Sequence, residues 1–78
     1  MIPNRQFQIA CITRTADGTN PCSERLSITP ATYDEKFTFA KVRAAFLEKQ
    51  SKGMLLNMMV TGIIEVDGDG NTLKVLTG

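Results

Sequence analysis

Few side chains in this sequence are equipped for chemistry, and their spacing sets narrow limits on what that chemistry is. Histidine is absent, so the usual base for activating a cysteine or serine nucleophile is missing. The two cysteines, Cys11 and Cys22, fall short of the four ligands a structural zinc ion needs. A turn centred near Asp17 makes them approximate partners across a hairpin, so a disulfide is geometrically open to them. The chain starts with the polar run Met1–Gln6, which lacks the apolar core of a secretory signal. That favours a cytoplasmic protein with reduced thiols serving as small core or half-buried residues.

The spacing Asp67-x-Asp69-x-Asn71 resembles the start of a calcium loop. The likeness stops at the sixth position, where the required glycine is Thr72, and at the twelfth, where the required glutamate is Gly78. A hairpin turn with Gly68 and Gly70 at its positive-φ positions explains the same residues. No glycine pattern matches a dinucleotide fingerprint or a phosphate loop. The carboxylates form no evident acid–base pair, since Asp34 and Glu35 suit a helix start and Glu48 with Lys52 makes an ordinary surface pair. No enzyme activity, cofactor or metal is expected.

Seven basic residues, Arg5, Arg14, Arg25, Lys41, Arg43, Lys49 and Lys52, could line a shallow groove. Arg14, near a hairpin tip, is suited to a phosphate backbone. The formal charge of +1 and the pI near 7.8 supply no strong field toward nucleic acid or an anionic membrane. The single tyrosine, Tyr33, is assigned to the core, which leaves no aromatic stacking platform.

These groups must be positioned by a small frame. The 78 residues make one domain, 1–78, with 42% hydrophobic content in favour of a folded chain and a core limited by size. Phe7, Ile9 and Cys11 alternate with Gln6, Gln8 and Ala10; Leu26 and Ile28 alternate with Arg25, Ser27 and Thr29. The turn-rich Thr15–Pro21 joins these two strands. Leu55–Val66 is apolar at its even positions Leu56, Met58, Val60, Ile64 and Val66, and partly so at its odd ones, as a central strand is. Gly62 within it points to a bulge or close backbone approach. Leu73, Val75 and Leu76 form a short last strand after Asp67–Asn71. The longest apolar run, Met54–Val60, is too short to span a bilayer.

Between the hairpins, Thr32–Gly53 reads as one helix, with Thr32 and Glu35 in a capping box and Gly53 as the stop. Tyr33, Phe37, Ala40, Ala44 and Leu47 form one stripe, the expected core face. Phe39, Val42 and Phe46 form a second, centred about 140° away. Three explanations fit the second stripe: cover from a loop, a terminus or a broad curved sheet; contact with another chain; or a late helix start near Thr38, with Lys36–Ala40 extended and Phe37 and Phe39 on one side.

The fold expected is α+β, in the order ββαββ, an antiparallel sheet of about four strands with one helix packed on one face. Its second sheet face would carry Gln6, Gln8, Ser27, Thr29, Thr61 and Glu65, with Ile63 and Met59 among them. The function expected is a small non-enzymatic protein-interaction or self-associating module, possible as a homodimer, that acts through Phe39, Val42, Arg43 and Phe46. Its size and lack of catalytic groups fit a minor bacterial or phage-borne accessory protein. The alternative is a nucleic-acid-binding module that uses the sheet face and the hairpin tips through Arg5, Arg14 and Arg25.

Overall fold

Alternating apolar residues at the odd positions Phe7, Ile9 and Cys11 commit the first segment to a strand with one buried face. In the computed structural model, which describes residues 2–50 and 58–77, that strand is β1, Arg5–Thr15. It turns through Ala16 and Asp17 into β2, Gly18–Ile28, with Gly18 at a φ of 127° and the Thr15 hydroxyl donating to the Gly18 carbonyl at 3.2 Å. The other elements are α1, Phe39–Lys49; β3, Met58–Val66; and β4, Thr72–Leu76. All strands pair antiparallel in the order β2-β1-β3-β4. The α+β, ββαββ plan with one four-stranded sheet is therefore as expected. The positions Gly53, Leu55 and Leu56 lie outside the described residues, but the helix ends before the expected stop at Gly53: its last residue is Lys49, and Gln50, extended, is the C-cap with its N–H on the Leu47 carbonyl.

The two turns follow from their residues. Asp67 closes the second one: Oδ1 accepts the backbone N–H groups of Asp69 and Asn71, both at 2.9 Å, and Oδ2 accepts the Asn71 amide at 3.2 Å. Gly70 takes a φ of 88°. These bonds, the Asn71 N–H first among them, hold the Asp67 carboxyl below its ordinary pKa. The would-be calcium ligand is thus engaged with its own turn.

The helix differs from expectation in start, end and facing. It begins at Phe39, with the Thr38 hydroxyl accepting the Lys41 N–H at 3.2 Å. Thr32 to Glu35 forms only a turn, closed by the Glu35 N–H on the Thr32 carbonyl at 3.2 Å. The late start near Thr38 was one of the three explanations for the second stripe. Its further element, extended backbone through Ala40, does not hold, because Phe39 and Ala40 are helical.

This start removes Tyr33 and Phe37 from the helical wheel and leaves the expected core stripe with two alanines and one leucine. The Phe39, Val42, Phe46 stripe is larger and therefore faces the sheet. Val42 is 0% and Phe46 2% exposed, Phe39 is half-buried, and Ala40 and Ala44 are exposed. Tyr33, expected in the core, is 71% exposed. Phe37 reaches the core from outside the helix, edge-on to Phe7 with ring centroids 5.2 Å apart.

β3 changes phase along its length. Ala10 pairs with Gly62 but Cys11 pairs with Val60, which leaves Thr61 as an extra residue. Its hydroxyl donates to the Ala10 carbonyl at 3.2 Å. Before this bulge the even residues Met58 and Val60 pack on the core; after it the odd residue Ile63 does. Glu65, two residues on, is buried as well. Ile63 and Glu65, expected on the open sheet face, therefore sit on the helix side. The bulge anticipated at Gly62 lies one residue earlier.

The reversed facing has a measurable consequence. Phe46→Ala is expected to cost about 3–5 kcal/mol by opening a core cavity, whereas Ala44→Lys changes stability by no more than about 0.5 kcal/mol. Urea unfolding of the two variants checks it; the expected-core assignment of Ala44 requires the opposite order.

Candidate functional site

Arg5 is a cation at an inward position, in phase with Phe7 and Ile9. Burying a guanidinium requires partners. Its Nε and Nη2 donate to the two carboxylate oxygens of Glu65 at 2.8 and 2.6 Å, the two-pronged geometry that suits Arg. Its Nη1 donates to the Glu35 carbonyl at 2.5 Å. The guanidinium carbon lies 4.7 Å from the Phe37 ring centre and 6.0 Å from that of Phe7, within cation–π range. Lys41 lies 4.8 Å from the Phe37 ring centre and pairs with the Glu35 carboxylate, which also accepts the Ala31 N–H.

The bonds from Arg5 hold the Glu65 carboxyl below its ordinary pKa against the opposing effect of burial. Lys41 and the Ala31 N–H do the same for Glu35. Arg5 in turn holds its proton more tightly because of Glu65. Each of these three groups is engaged by a neighbour, so the cluster is a structural clamp.

The residues expected to bind a partner separate accordingly. Val42 and Phe46 belong to the core, Phe39 is half-buried against it, and Arg43 is exposed. They do not form one open surface: the chain itself covers the stripe. The nucleic-acid set also divides. Arg5 faces the helix side, while Arg14 and Arg25, paired with Thr19 and Gln8, share the opposite sheet face. Arg25 Nε donates to the Gln8 side-chain oxygen at 3.2 Å, and Arg14 is exposed near the hairpin tip. Arg14 stands six residues along β1 from Gln8, about 20 Å away.

The open sheet face grades from polar to apolar. One row across the four strands reads Arg25, Gln8, Ile64, Val75. Beside it, Ala10 and Gly62 pair as a floor of small residues, with a cleft of about 560 Å³ above them. The cleft lies where β4 stops short: β4 pairs with β3 only from Ile63 to Val66. Ile64 and Val75 of this face line it, as do Phe39, Ile63 and Leu76 of the helix side, so the cleft reaches both faces of the sheet.

The two sheet edges differ in the same sense. β2 presents Pro21, Glu24 and Arg25, residues that blunt an edge against another strand. On β4, Leu73 is 60% and Val75 61% exposed, and Lys74 is the single charge. Sequence reasoning missed this surface. The contrast between a proline-bearing, charged strand and a short apolar one was the available signal. The Arg5–Glu65 clamp had a signal too, the shared parity of Arg5 with Phe7, Ile9 and Cys11.

Among the described residues, no three cysteine or carboxylate groups come together to hold a metal ion, and no helix is long and apolar enough to cross a membrane. Comparison with family models, curated proteins and solved structures finds no match to this chain.

The clamp predicts an acid-dependent stability. Glu65 has a folded pKa below its ordinary value of 4.5, so its contribution is fully present above that pH and is lost as pH falls through the folded value. Glu65→Gln should flatten this part of the urea-midpoint profile. Arg5→Ala should cost about 2–4 kcal/mol at neutral pH by leaving the buried carboxylate unpaired.

Proposed function

We propose that this protein is a non-enzymatic protein-interaction module that self-associates through the β4 edge and the apolar half of the open sheet face beside it. One observation carries the reading: an exposed, apolar edge strand with Leu73 and Val75 outward, opposite an edge guarded by Pro21, Glu24 and Arg25. Unpaired strand edges recruit further strands, and exposed apolar side chains beside them add buried area. A two-fold axis through the centre of such a pairing keeps both helices on the same side of a continuous sheet. Centred on Val75, it sets each Val75 against its own copy and keeps the two Lys74 ammonium groups apart, whereas centring on Lys74 opposes like charges.

The role is that of a small accessory protein, of the kind carried by bacteria or their phages, acting in the cytoplasm. Cys11 and Cys22 would there exchange between bonded and reduced forms with the thiol pool. A second reading, contact with a nucleic-acid backbone, draws support from Arg14 and Arg25 sharing one face. It is the weaker reading, because Arg5 is withdrawn into its ion pair and the net charge is +1.

Sedimentation equilibrium over a wide concentration range tests the proposal. The wild type is expected to approach twice its monomer mass, and Val75→Lys to stay monomeric and folded, with a thermal midpoint that does not rise with protein concentration. A wild type that is monomeric throughout removes self-association. An affinity for a DNA or RNA duplex that falls steeply with salt brings the second reading forward.

A further inference from the structure

Cys11 and Cys22 are opposed residues of the β1–β2 ladder, with Cα atoms 5.2 Å apart, and they are joined as a disulfide. The expectation of reduced thiols is corrected by this bond. Its place in the fold gives it a function. Along β1, burial ends at Cys11: Ile12 and Thr13 are half-buried, and Arg14 onward is exposed. On β2, Thr19, Asn20 and Pro21 are exposed, and Cys22 is half-buried.

No residue from Ile12 to Arg25 belongs to the hydrophobic core cluster of the described residues. Among the described residues, β3 accompanies β1 as far as the Thr13–Met58 pair. Past that point the described residues hold a hairpin arm of two strands alone. Two-stranded hairpins are marginally stable in water.

We propose that the Cys11–Cys22 disulfide is a redox latch that keeps this arm, Thr13 to Pro21, ordered, and that reduction releases the arm while the packing of β1, β3 and α1 persists. The reductant is a dithiol. One of its thiolates attacks a sulfur of the bond, favouring half-buried Cys22 over buried Cys11, and forms a mixed disulfide as Cys11 leaves as a thiolate and takes up a proton. The second dithiol sulfur then displaces Cys22 and closes the reductant's own disulfide. Two electrons and two protons pass to the protein, which ends with two thiols. The core residues Phe7, Ile9 and Leu26 do not depend on the bond, because Phe37, Val42, Phe46 and Ile63 enclose them. Beyond Thr13 the arm has no such support among the described residues.

Closing a loop of this length by a covalent bond shifts the opening equilibrium by a factor on the order of 100. Hydrogen exchange on the full chain, resolved by residue, reads the effect in the oxidised protein, the dithiol-reduced protein and the Cys11→Ala/Cys22→Ala double variant, with the cysteine state in each checked by mass. On reduction, amides of Thr13–Asn20 are expected to exchange up to about 100-fold faster, with those of Phe7 to Ile9 and Ile63 to Glu65 nearly unchanged. The double variant should match the reduced profile and ignore the dithiol. Three results overturn the latch: equal arm exchange in both states, loss of protection across the whole sheet on reduction, or two free thiols that mild oxidation fails to join.

Discussion

The helix side of this sheet is organised around a single guanidinium. Arg5 is inward because β1 alternates, and it is tolerated there because Glu65 on β3 meets it with both carboxylate oxygens. The same cation reaches the Glu35 carbonyl and lies against Phe37. One side chain thus connects two strands and the segment that leads into the helix. With Phe37 held against Phe7, the backbone cannot coil through Thr32–Phe37, and the helix waits for the next capping residue, Thr38. The facing of α1 is a result, since starting there puts Val42 and Phe46 toward the sheet. A charge pair in a small core is costly by itself. Here it sets the geometry from which the apolar burial proceeds.

The strands were legible because their signals are local: alternation on β1 and β2, glycine and aspartate at the turns, and an apolar central strand. The helix start was not, because Thr32 and Glu35 meet the local requirements of a cap, and it is the distant pull of Phe7 and Arg5 on Phe37 that prevails. The misassigned faces share this cause. A helical wheel assumes that every residue in the span is helical, and removing Tyr33 and Phe37 from it reverses the comparison between the two stripes. The candidate site was misread for the same reason, since its Val42 and Phe46 are the residues that the sheet covers. For β3 the difficulty was a single residue: alternation is readable on each side of Thr61, but a period-two pattern read straight through a bulge assigns half the strand to the wrong face.

The two edges of the sheet reflect different pressures. β2 is long and would offer many unpaired backbone groups, and it carries a proline and charges. β4 is short and is left apolar, next to a cleft floored by Ala10 and Gly62. Short length is itself a safeguard against uncontrolled stacking, which makes an apolar β4 compatible with a discrete assembly rather than a fibre. Charged and apolar surface are in this way allotted to opposite edges of one sheet.

The bulge at Thr61 bears on how this chain tolerates change in length. A strand whose inward parity switches midway carries a frame, much as a reading frame does. Losing Thr61 itself would leave Val60 and Gly62 as consecutive partners of Cys11 and Ala10, a regular ladder in which Met58, Val60, Ile63 and Glu65 all keep the helix side, whereas losing Ile64, past the bulge, would turn Glu65 to the opposite face. Since Glu65 is the carboxylate that meets Arg5, loss of Ile64 would unseat the ion pair. Single-residue deletions should therefore be better accepted at this inconspicuous threonine and in the exposed turns than between Ile63 and Glu65.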